Sequence, residues 1–99
     1  MLLSGKQRRH LRALAHPLKP LVQLGKGGID DGLVAALDRA LLDHELVKVK
    51  IGEHADLDRH TAADRLAQQT HSSVAQVLGN IVLLYRAHPD KPQISLPRR

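Results

Sequence analysis

The chain has no cysteine, phenylalanine or tryptophan, and Tyr85 is its only aromatic residue. Without cysteine there are no disulfides and no thiolate metal sites, which fits a reducing compartment. Without aromatics, a sheet that stacks two or three bases on its own rings is excluded, and a single-strand binder made of stacking platforms is disfavoured. Tyr85 is placed at the sheet edge with its hydroxyl outward, stacking one base being the second reading. No apolar run approaches the roughly 20 residues of a membrane-spanning helix. Met1-Leu2-Leu3 is too short for a signal peptide, so a cytoplasmic protein without a membrane partner is expected.

Acid is missing too, but only locally. Up to Ile29 the chain carries Lys6, Arg8, Arg9, Arg12, Lys19 and Lys26 and no Asp or Glu. From Asp30 to Thr70 nine acids face five bases, and beyond His71 only Asp90 opposes Arg86, Lys91, Arg98 and Arg99. The net charge of +5 is therefore segregated, and a one-sided positive field captures polyanions. No helix pairs a basic face with a bulky insertion face, which favours nucleic acid over a membrane surface.

The stretch Leu21-Val22-Gln23-Leu24-Gly25-Lys26-Gly27-Gly28-Ile29-Asp30-Asp31 reads as a short strand, a glycine loop and a helix start capped by Asp30. Glycines let backbone approach another surface, and a helix N-terminus beside Lys26 suits an anion. The nucleoside-triphosphate loop is excluded because Lys26 follows Gly25 directly, and the dinucleotide fingerprint fails at Asp30. What remains is Gly-x-x-Gly, Gly25 to Gly28, a loop type that clamps nucleic-acid backbone; an ordinary turn is the alternative.

The rest of the chain predicts one domain spanning residues 1–99, with a core over about 3–86 and a basic, proline-containing tail over 87–99. Ser4 and Gln7 form a capping box for a helix from Gly5 to Ala15, with Leu11, Leu14 and Ala15 opposite Arg8, Arg9 and Arg12. A second helix over Asp31 to Asp43 carries the stripe Leu33, Val34, Leu37 and Leu41. Strict alternation makes Leu46–Ile51 a half-buried strand with Lys48 and Lys50 on one side, read first as guards of an exposed edge. A weak third helix spans Asp58 to Thr70, and Val74–Leu78 and Ile81–Arg86 form a hairpin about Gly79-Asn80. Gln93–Leu96 is a candidate edge strand. The fold class is α/β: order α-β-α-β-α-β-β, with a mixed four-stranded sheet and helices packed on it.

Five blocks carry a resemblance: Ala15-His16-Pro17-Leu18-Lys19-Pro20, Gly25-Lys26-Gly27-Gly28, His44-Glu45-Leu46-Val47-Lys48-Val49-Lys50, Leu83-Leu84-Tyr85-Arg86 and Ile94-Ser95-Leu96-Pro97-Arg98. In order and spacing they resemble the YhbY family, the stand-alone bacterial form of the CRM domain of chloroplast RNA splicing and ribosome maturation factors. The resemblance implies a fold similar to the C-terminal domain of translation initiation factor three. It also implies RNA binding and association with precursors of the large ribosomal subunit. The family's loop maps onto Gly25, Lys26, Gly27 and Gly28, and its basic helix onto Lys6, Arg8, Arg9 and Arg12. Lys19, Lys48, Lys50 and Arg86 complete the candidate contacts. Two blocks depart from the family: Ile29-Asp30 stands where Leu-Thr is usual, and Thr70-His71 where a glycine is usual.

Other chemistries have less support. Seven histidines raise a metal site, and His54, Asp56 and His60 are close in sequence, but no HExxH spacing or supporting pattern accompanies them. Serines lack a nucleophile-elbow context and the carboxylates gather away from the basic segments, so no enzyme and no cofactor are expected. The expectation is a monomeric RNA-binding protein acting on large-subunit rRNA or its precursor within a pre-ribosomal particle. The alternative is a ribosome-associated adaptor whose basic face docks an acidic protein.

Overall fold

The computed structural model describes residues 2–99. Helix α1 (Gly5–Ala15) starts at the expected capping box: Gln7 N–H donates to Ser4 Oγ at 3.1 Å and Ser4 N–H to Gln7 Oε1 at 3.0 Å. Its buried residues Gln7, Leu11 and Ala15 recur every four positions, which turns Lys6, Arg9 and Arg12 outward. Strand β1 (Val22–Leu24), helix α2 (Asp31–His44), strand β2 (Leu46–Ile51), helix α3 (Arg59–Thr70) and strands β3 (Ser73–Leu78) and β4 (Ile81–Tyr85) follow in the predicted order.

The sheet runs β1-β2-β4-β3, with β1 parallel to β2 and the other two pairings antiparallel. Side chains alternate across it and fill two cores. Val47, Val49, Ile51, Val82 and Leu84 face α2 and α3, where Leu37, Leu41, Ala62, Ala63 and Leu66 meet them. Leu46, Leu83 and Tyr85 face the other way, onto Leu3, Leu11 and Ala15 of the α1 layer. Ala75, at a bulge between Val74 and Gln76, joins that second core as well. The result is three layers, with α1 alone on one face.

Two features depart from expectation, the tail and Tyr85. Residues 93–96 form no strand; the tail instead crosses the α1 layer, with Ile94 and Leu96 packed on the second core and Gln7 Nε2 donating to Pro97 O at 3.0 Å. Its anchor is Glu45, buried at the end of α2 with φ 64°, whose carboxylate accepts the N–H groups of His88, Gln93 and Ile94 at 2.7, 2.7 and 2.9 Å. Burial pushes this carboxyl up, but the three N–H donors and the charge of His88 outweigh it and hold the pKa below the ordinary value. Tyr85, in turn, lies on an interior strand and is 4% exposed, so it offers no ring for stacking; burial, then the Glu45 charge, raises its phenol pKa. At the end of α3, His71 takes the left-handed conformation (φ 54°) that the family's usual glycine adopts without strain.

Candidate nucleic-acid interface

The glycine loop leaves the sheet at the carboxyl end of β1. Gly28 N–H closes a turn onto Gly25 O at 3.1 Å, and Gly28 sits at φ 72°, which an L side chain reaches only with strain. Gly25 and Gly27 are different. A Cβ on Gly25 would meet nothing within 4 Å, and one on Gly27 only Asp30 Oδ2 at 3.7 Å. The fold does not require glycine at either position, so their surroundings stay open to an approaching ligand. The tight internal contact belongs to Gly52, whose N–H donates to Leu24 O at 2.7 Å and whose Cβ would lie 3.0 Å from that oxygen.

The anion corner expected at the start of α2 is revised. Asp30 Oδ1 already accepts Leu33 N–H at 2.8 Å, and Asp31 adds a second carboxylate in the first turn. These charges offset the dipole end and occupy a free donor. What the loop leaves open to a ligand is exposed Lys26 and the backbone of residues 25–28.

Lys48 and Lys50 are corrected in the opposite sense. β2 is an interior strand, so its lysines guard no edge. They alternate with Val47, Val49 and Ile51 and so share the α1 face with Leu46. That helix covers Leu46, Leu83 and Tyr85 but leaves Lys48 half-buried and Lys50 exposed. Along β2 the order on this face is Leu46 beneath α1, then Lys48, then Lys50 opposite Gln23, then Gly52 beside the loop. Successive steps of two residues span roughly 7 Å. The two lysines bridge the basic helix to the glycine loop, a continuity the sequence does not display.

The remaining candidates divide. Lys6, Arg8, Arg9, Arg12 and Lys19 are exposed; Arg8 also donates to Leu3 O at 2.7 Å, and Lys48 Nζ to Leu18 O at 2.9 Å. Arg86 lies apart from these residues. Its guanidinium donates to Asp38 Oδ1 at 2.6 Å, Asp38 O at 3.0 Å and Thr70 O at 2.8 Å, tying α2 to the end of α3 on the opposite side of the sheet. His54, Asp56 and His60 are all exposed, and among the described residues no group of three or more His, Asp or Glu side chains is placed to hold a metal ion.

A family model described as the CRS1/YhbY (CRM) domain matches residues 3–86, from the start of the α1 layer through Arg86. The chain belongs to the CRM domain family. Two relatives extend the similarity over the tail. The Bacillus subtilis protein named "Probable RNA-binding protein YqeI" is 38% identical over 96 residues, covering 97% of this chain and 100% of the relative. One from Haemophilus influenzae named "RNA-binding protein" is 39% identical over 100 residues, covering 98% and 97%. The solution structure of SAV1595 from Staphylococcus aureus shares this CRM fold, with a TM-score of 0.82 at 38% identity over 97% of this chain and 100% of that one.

Proposed function

We propose that the protein binds folded RNA and assists assembly of the large ribosomal subunit by associating with its precursors, acting without catalysis or cofactor. The grip is on the backbone: α1 offers Lys6, Arg8, Arg9 and Arg12, the sheet face offers Lys19, Lys48 and Lys50, and the loop offers Lys26 with the open backbone around Gly25 and Gly27. The observation that carries this reading is the pair of lysines on an interior strand. An interior strand needs no charged guard, and the uncovered face they occupy joins the two basic elements. The names of the relatives support RNA as the partner class. With Tyr85, the one Phe, Tyr or Trp ring of the sequence, buried, recognition rests chiefly on phosphate, sugar and RNA shape.

Crosslinking followed by sequencing of the attached RNA tests this. Large-subunit precursor rRNA should dominate the reads, and RNase should release the protein from its particle. Retention after complete digestion would assign the basic face to an acidic protein partner instead.

A further inference from the structure

Two clefts on the α1 face share Lys19 and Leu21 and form one groove beside β1. The first, about 360 Å³, is walled by Leu14, Leu18 and Leu21 and by Ile94 of the tail; the second continues past Lys50. The three leucines are 42%, 40% and 56% exposed, a concentration of apolar surface in the middle of the basic face. Lys48 Nζ donates to the Leu18 carbonyl at 2.9 Å, while Lys19 and Lys50 are exposed at the rim.

Resting on the RNA reading above, we infer that this groove receives a single nucleobase turned out of a folded RNA, with Lys19 and Lys50 on the neighbouring phosphates. An unstacked base combines a flat, weakly polar body with an anion on either side, which is the chemistry of apolar walls between cations. Bases outside the stack are held between apolar side chains as well as aromatic ones, and extrusion costs least where the base is already unpaired. The first cleft has the size of a small-ligand pocket and offers room for one base. An acidic peptide fits less well, because β1 is three residues long and follows Pro20, leaving little edge for a peptide strand to pair with. A bulged or looped-out nucleotide in an otherwise paired RNA is the ligand.

The test uses the full chain and three labelled RNA hairpins at one near-physiological salt concentration: fully paired, with a one-nucleotide bulge, and with an abasic spacer in the bulge. The bulged hairpin should bind about tenfold tighter than the abasic one. Leu18→Ser with Leu21→Ser should erase that difference while leaving abasic affinity and its salt dependence unchanged; both side chains are exposed, and circular dichroism confirms folding. Lys26→Ala should weaken all three hairpins alike. Equal binding of bulged and abasic hairpins, an equal loss on both in the leucine variant, or competition by an acidic peptide at the leucines would overturn the inference while leaving RNA binding intact. Failure to bind any hairpin even at low salt would overturn the RNA reading and this inference together.

Discussion

Glu45→Ala removes the carboxylate that fastens the tail to the end of α2. Each of its three N–H···carboxylate bonds is of the class worth about 1.5–3 kcal/mol, but their sum overstates the loss, because a detached tail rehydrates its N–H groups. The loss is bounded by the docking of the tail itself. That comprises the partial burial of Ile94 and Leu96, about 1 kcal/mol each, and the Gln7–Pro97 bond, about 1 kcal/mol. The expected cost is about 2–4 kcal/mol in denaturant unfolding. Glu45→Gly loses the same bonds but relieves the positive φ, and should be milder by about 1–2 kcal/mol. The folded carboxyl has a lowered pKa, so its stabilisation is complete above the unfolded value of about 4.3 and fades as pH falls through the lower folded value. Protection from amide exchange at His88, Gln93 and Ile94, taken relative to the intrinsic rate at each pH, should fall in both variants at neutral pH, and in wild type only in acid. Wild-type exchange at these three amides in Glu45→Ala, with unchanged unfolding, would refute the clamp.

Gly25→Ala and Gly27→Ala should shift stability by no more than about 1 kcal/mol yet weaken RNA binding, because only a ligand needs the space a Cβ would take. Gly28→Ala should cost about 1–2 kcal/mol of stability through its φ of 72°; thermal melts alongside RNA titrations separate the two behaviours. Arg86→Ala should destabilise by about 1.5–3 kcal/mol by breaking the tie between Asp38 and Thr70. The salt dependence of its RNA binding should stay that of wild type.

The elements themselves were legible because each carries a local signal: the Ser4–Gln7 capping box, the alternation of Leu46–Ile51, the Gly79-Asn80 turn. What the sequence hid was long-range. No local pattern shows that β4 inserts between β2 and β3, and that insertion moves Lys48 and Lys50 from a supposed edge onto an open interior face. Glu45 counts as one acid among nine until its partners 43 to 49 residues away are seen. Arg86 belongs to a basic tail by sequence and to an α2–α3 tie by structure. Asp30 was legible as a cap, and its consequence, one donor of the helix end already taken by its own carboxylate, required the bond to Leu33. The tail's periodicity suggested a strand because Ile94 and Leu96 do point to one core, but they reach it as irregular chain held by Glu45.

The most direct measurement is the affinity of wild type, Lys48→Ala/Lys50→Ala and Arg86→Ala for a folded large-subunit rRNA fragment, titrated across a range of salt concentrations. The wild-type plot of log affinity against log salt should be steep, and loss of the two sheet lysines should flatten its slope by roughly one for each phosphate contact removed. Arg86→Ala should run parallel to wild type. A nearly flat wild-type plot, or a lysine variant whose slope matches wild type, would contradict the claim that the open face of β2 holds the RNA backbone.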